Sequence, residues 1–212
     1  MCFATKFVKI CGVDDAGRGS MLGPLVISGI SIEKKNLKKL SSLGVKDSKK
    51  LSPKNREILY KKIVELVDDY YIAKISPRSI DSSVKRHGLN ELEAKYMAKV
   101  VSKLDSDTSY VDSCDVNPVR FGKEISRLSN NHKIKSYHHA DSRFVIVSAA
   151  SILAKVTRDR AIEKLRKNYD LGSGYPSDSK TVKFVTSYYK NNNSLPTFVR
   201  KSWKPVQKII ND

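Results

Sequence analysis

The stretch between residues 7 and 32 restricts the fold of this chain more than any other. Two segments rich in β-branched and apolar residues, 7–13 and 25–32, flank Gly12-Val13-Asp14-Asp15-Ala16-Gly17-Arg18-Gly19-Ser20-Met21-Leu22-Gly23. Such composition predicts two strands, so two carboxylates, an arginine and four glycines stand where they meet. Successive strand residues face opposite sides of a sheet. Asp14 and Asp15 therefore share one cleft only if the strand ends or twists between them, which the nearby Gly17 permits.

Asp and Gly also make ordinary turns, because Asp bonds to neighbouring backbone and Gly takes positive φ. Two nucleotide-binding motifs lie close by and fail. Gly12 and Gly17 have the gap of a phosphate-binding loop, but Arg18-Gly19 replaces the Lys-Ser/Thr that would reach phosphate and magnesium. Gly17, Gly19 and Gly23 are spaced one residue too long for a dinucleotide fingerprint. Two carboxylates would also repel a phosphate unless a cation lay between them, which points to a metal ion.

Farther along, a Ser52-Pro53 helix start precedes Leu59, Ile63, Leu66 and Tyr70 at helical spacing. A third strand is predicted at 71–76, a helix at 89–104, a strand at 108–112, a helix at 117–128, a strand at 132–137 and a helix from Ser142 to about Tyr169. The basic segment 34–50 is read as loop, and the polar segment 77–88 carries no clear pattern. This alternation predicts an α/β domain. Three acids then fall at strand ends, where open sheets gather ligands: Asp14 or Asp15, Asp112 and Asp141. Asp141 also suits a helix N-cap, and Asp112 a turn through Asp115. Clustered carboxylates, however, repel unless a cation joins them. Oxygen ligands without Cys or His select magnesium or manganese over zinc.

Charge bears on the partner. Lys and Arg number 40 against 22 Asp and Glu, a formal charge of +18 spread along the chain. Solvated lysine surface gives such an excess in some heat-adapted proteins, whereas a polyanionic partner accounts for it together with the acids. Ten tyrosines and six phenylalanines offer faces for bases or sugars. Cys2, Cys11 and Cys114 show neither zinc nor disulfide spacing, so a reducing compartment is expected. No apolar run has the length of a signal or a membrane span, and a soluble cytoplasmic monomer with no membrane partner is expected.

The segments GVDDAGRGSMLGPLV, KDSKKLS, YVDSCDVN, HHADSRFVIVSAASILAKVTRD and GSGYPSD, in that order over nearly the whole chain, resemble the type 2 ribonuclease H family, specifically ribonuclease HII in its single-chain archaeal form. The resemblance implies a ribonuclease H-like fold: a mixed central sheet flanked by helices, with a small helical C-terminal portion. It places a catalytic domain at 1–170 and a C-terminal loop and helical extension at 171–212. The family's four metal-binding catalytic acids fall on Asp14, Asp15, Asp112 and Asp141, expected to hold two Mg2+ or Mn2+ ions in the substrate complex. The family usually has Asp-Glu in the first motif, where Asp15 here is one methylene shorter. Gly17, Arg18 and Gly19 would read a ribose 2′-hydroxyl together with Tyr175. Lys49, Ser148, Lys155 and Arg158 match positions expected to meet substrate phosphates. His138 and His139 carry a lesser expectation of proton transfer or product release. The implied activity is endonucleolytic: hydrolysis of the RNA strand of RNA–DNA hybrids and cutting 5′ of ribonucleotides embedded in duplex DNA. The alternatives are another metal-dependent nuclease of the same fold and a noncatalytic nucleic-acid-binding protein. A sliding clamp is not inferred, because the C-terminal residues 206–212 lack the aromatic pair of a clamp-binding peptide.

Overall fold

The computed structural model describes residues 8–45, 51–130 and 133–211. Five strands form one sheet in the order β3-β2-β1-β4-β5, from β1 (Lys9–Ala16), β2 (Leu25–Glu33), β3 (Asp69–Ile75), β4 (Thr108–Asp112) and β5 (Ile134–Tyr137). β1 pairs parallel with β4, and β4 parallel with β5. The connection 17–24 between neighbouring β1 and β2 is too short for a parallel crossover, so the sheet is mixed. Parallel strands present their C-terminal ends on one side, and there β1 closes with Asp14-Asp15-Ala16 and β4 with Asp112.

The helices are α1 (Leu37–Ser42), α2 (Pro53–Leu66), α3 (Pro77–Val84), α4 (Leu89–Lys103), α5 (Pro118–Ser129), α6 (Ala140–Arg143), α7 (Val145–Arg166), α8 (Ser179–Asn192) and α9 (Lys204–Asn211). A 3-10 turn at Lys34–Asn36 precedes α1, so part of the basic segment expected as loop is ordered. Ser52 caps α2 as its sequence predicts, accepting from the Asn55 amide at 3.2 Å. α3 was absent from the sequence expectation. It uses the same device, Ser76 accepting from the Ser79 amide ahead of Pro77. The single helix expected from Ser142 is instead two, because Phe144 is extended at φ −123°, ψ 119°.

The chain divides into two compact units: Met1–Asp15, Ile27–Ala73 and Glu93–Val156 in the first, Ala16–Val26, Lys74–Leu92 and Thr157–Asp212 in the second. This differs from the boundary expected at residue 170. The second unit gathers separate segments because they bond to one another: Leu22 bridges Val199, and Asp81 accepts from the amides of Lys201 and Ser202 at 3.0 and 2.9 Å. In the first unit the core joins Ile10, Ile30 and Ile32 of the sheet to Leu59 and Ile63 of α2 and to Val147, Ala150 and Leu153 of α7. Gly12 makes that packing possible, since a Cβ there would lie 2.4 Å from the Ile146 carbonyl carbon. The second unit has its own core of Met21, Leu22, Ile162, Leu171, Val185, Leu195, Val199 and Val206. No helix among the described residues is long and apolar enough to cross a membrane.

Candidate active site

The expected acids lie in the first unit, on adjacent strands and the turn that follows. Asp14 and Asp15 directly precede Ala16, the last residue of β1, Asp112 ends β4, and Asp141 follows β5 in the first turn of α6. Val13 pairs with Val111 and Asp112 with Tyr137, so the ladder carries these side chains to the same sheet edge. Asp14 is buried at 5% exposure and Asp15 is half-buried, as alternate facing along β1 requires. Neither bland alternative describes the other two acids. His139, not Asp141, stands at the α6 N-cap, with left-handed φ 52°. Asp112 Oδ1 accepts the Ala140 amide at 2.5 Å, which ties β4 to the segment carrying Asp141.

Electrostatics set Asp14 apart. Burial first, then the neighbouring Asp112 and more weakly Asp141, push its carboxyl from 3.8 up to about 7, against the easing effect of Ser151 and of the Asp15 amide, which donates to Asp14 Oδ1 at 2.7 Å. Asp115 shows what a structural acid looks like in the same region: also 5% exposed, it receives the Arg120 guanidinium at 2.6 Å and the Asn117 amide at 2.8 Å. Among the described residues, no group of three or more His, Cys, Asp or Glu side chains is placed to hold a metal ion. In charge and donor chemistry the acids nevertheless suit a hard divalent cation, because burial and the neighbouring carboxylates, which together favour a proton on Asp14, are offset by positive charge. Thiol chemistry is disfavoured. Burial pushes the Cys11 thiol up to about 12, with only partial relief from Ser109.

The Gly-Arg-Gly segment and Tyr175 lie in the second unit. Gly17 needs its left-handed backbone at φ 87°, and the Ser20 amide closes the turn on the Gly17 carbonyl at 3.2 Å. Gly19 is different. It has no left-handed backbone, it is exposed, and a Cβ built there meets nothing within 4 Å. Arg18 reaches Asn90 Oδ1 at 2.7 Å. The Tyr175 loop is folded by Asp178, which accepts the Ser173 amide and is held well below the usual carboxylate range, at about 2, chiefly by that bond. The two loops meet through the Gly174 carbonyl, which accepts from the Met21 amide at 2.7 Å and from Ser20 Oγ at 2.8 Å.

The residues expected at phosphates divide. Arg158 is only 5% exposed: its guanidinium stacks 4.3 Å from the Tyr175 ring centroid and donates to Ser20 Oγ at 3.0 Å and to the Ser173 carbonyl. Ser148 is fully buried and donates to the Val45 carbonyl at 2.6 Å. Both side chains are thus engaged with protein. Lys155 is half-buried, and Lys49 lies outside the described residues. His138 and His139 are exposed. Sequence reasoning missed the Ala140 amide, Asp178 and the buried Arg200, because a backbone donor leaves no signal and a lone Asp or Arg does not announce its partners.

Comparison with known proteins places the chain in a family. The family described as Ribonuclease HII matches residues 11–206. Ribonuclease HII of Cenarchaeum symbiosum is 58% identical over 200 residues, spanning 94% of this chain and 97% of that protein. The crystal structure of ribonuclease H2 from Pyrococcus horikoshii superposes with a TM-score of 0.90 at 44% identity, covering 96% of this chain and 98% of that one. The Archaeoglobus fulgidus ribonuclease HII, solved as a complex with PCNA, gives 0.87 at 36% identity over 94% and 96% of the two chains. With a family match over most of its length and the expected acids on neighbouring strands, the chain belongs to the ribonuclease HII family.

Proposed function

We propose that the protein hydrolyses the RNA strand of RNA–DNA hybrids and cuts on the 5′ side of ribonucleotides embedded in duplex DNA, leaving 5′-phosphate and 3′-hydroxyl ends. The observation that carries this most directly is the placement of Asp14 beside Asp112 and Asp141, where burial first and then these neighbouring carboxylates raise Asp14 to about 7. Asp14, Asp15, Asp112 and Asp141 are the residues that would hold Mg2+ or Mn2+. Two such ions, when bound, supply the positive charge that favours attack of water on a phosphodiester and departure of the 3′-oxygen. In that reaction a P–O bond to water forms, the bond from phosphorus to the 3′-oxygen breaks, and the 3′-oxygen ends protonated. Asp14 contributes as a carboxylate, so cation binding and release of its proton are linked. The Ala140 amide keeps Asp112 oriented through this change.

Choice of substrate is assigned to Gly17, Arg18, Gly19 and Tyr175. Neither packing nor backbone conformation demands glycine at position 19, and the open space beside it suits close approach of a sugar. A site that bonds a hydroxyl rejects the analogue lacking it by roughly 10⁴ to 10⁵. Arg158 supports Tyr175 from behind in this scheme, and Lys155 is the proposed phosphate contact.

The test uses one duplex with a lone ribonucleotide and a matched all-DNA duplex, each with magnesium, manganese or chelator. A single metal-dependent cut in the first duplex alone is expected. Cutting of the all-DNA duplex would indicate a different nuclease of the same fold, and binding without cutting would indicate a noncatalytic module.

A further inference from the structure

The C-terminal segment that closes the second unit holds a fully buried arginine. Arg200 is 0% exposed, and its side chain is spent on the loop that begins at Gly17: Nε donates to the Gly23 carbonyl at 3.1 Å and Nη1 to the Arg18 carbonyl at 2.8 Å. Its own amide donates to the Met21 carbonyl at 2.9 Å. Trp203 completes the clamp, with its ring centroid 5.1 Å from the Arg200 guanidinium carbon and its Nε1 donating to the Gly19 carbonyl at 3.3 Å. Asp81 anchors the clamp from α3 by accepting from the amides of Lys201 and Ser202 and from Ser202 Oγ at 2.6 Å.

We propose that Arg200 and Trp203 are positioning residues for ribose recognition, fixing the peptide planes of the Gly-Arg-Gly loop from behind. This rests on the assignment of that loop to the 2′-hydroxyl. A trans peptide is planar, so its N–H points opposite its C=O. With the Arg18 carbonyl drawn to Arg200, the Gly19 amide of the same plane faces the other way. With the Gly19 carbonyl drawn to Trp203, the next plane is fixed as well. Gly19 is exposed and a Cβ built there meets nothing within 4 Å, so the bonds the clamp makes to the Arg18 and Gly19 carbonyls orient it. The planar fork of a guanidinium can serve the carbonyls of Arg18 and Gly23 together, whereas an ammonium is a point donor. Burying an arginine is costly unless it is well partnered, and here the bonds made by Nε and Nη1 both go to the loop.

The experiment compares wild type, Arg200→Lys and Trp203→Phe at a temperature well below the melting point of each. Turnover is measured on the lone-ribonucleotide duplex, and affinity for the same duplex is measured in chelator. Misplacement of a loop by about 1 Å costs on the order of 10²-fold in rate, so Arg200→Lys is expected to lower kcat at least ~10-fold while duplex affinity stays within about twofold. Trp203→Phe, which keeps a ring and removes one N–H, is expected to lower kcat in the same direction by a smaller factor. A purely structural role would lower the melting temperature and leave kcat per folded molecule unchanged, which overturns the proposal. Should Arg200→Lys fail to fold, Trp203→Phe decides alone by the same criterion. If wild type itself does not cut at the ribonucleotide, the loop assignment fails. If wild type cuts and both variants match it, only the clamp fails.

Discussion

Asp14 is ionised at a cost to the fold, because burial and then Asp112 and Asp141 all oppose its charge. Its carboxyl stands at 3.8 in the unfolded chain and about 7 in the folded one, so over that interval the native state holds a proton that the unfolded state has released. The group's contribution is therefore fully favourable below about pH 4 and is lost as pH rises through about 7. In chelator, Asp14→Asn is expected to melt higher than wild type at pH 8 and no higher at pH 4, while in magnesium its cleavage is expected to fall by on the order of 10³-fold. Identical melting curves for the two proteins at pH 8 would contradict the electrostatic account. In its proposed role as a cation ligand, Asp14 would trade stability for function.

At the scale of elements, α7 packs against β1 at Gly12 with no room for a side chain. A methyl group there would lie 2.4 Å from both the carbonyl carbon and oxygen of Ile146, and backbone cannot rotate aside as a side chain does. Gly12→Ala is expected to destabilise by about 1–3 kcal/mol in denaturant melts, the usual cost of overpacking, and to disturb the acids two residues away. Strands were legible because β-branched runs ended at acids or turn residues, as at β4, which begins and ends where its pattern indicates. The α2 cap was legible for the same local reason. α3 was not, since Arg78, Ser79, Asp81, Ser82 and Ser83 obscure its apolar face, although Ser76-Pro77 repeats the signal read at Ser52-Pro53. The break at Phe144 was invisible too, because it depends on backbone angles that a continuous apolar pattern conceals. Among candidate site residues, the placement of the acids at or just beyond strand ends was legible by position. The packing of Arg158 on Tyr175 was not, because nothing local marks an arginine that stacks on a tyrosine.

For the whole molecule, a formal charge of +18 makes attraction to a polyanion an expected property of the entire surface. Duplex affinity measured in chelator should fall on the order of 10³-fold between 50 and 200 mM salt if about six phosphates are neutralised. A flat salt response would mean that binding rests on the ribose-reading loop alone. The parallel ladder of β1, β4 and β5 has a separate consequence. Neighbouring strands lie about 4.8 Å apart, so hydrogen-bonded backbone acts as a gauge that spaces Asp14 from Asp112 before any side chain adjusts. A slip of β4 by a single position would turn Asp112 toward the opposite face, leaving the enzyme inert while its composition, charge and most of its contacts stayed as they are.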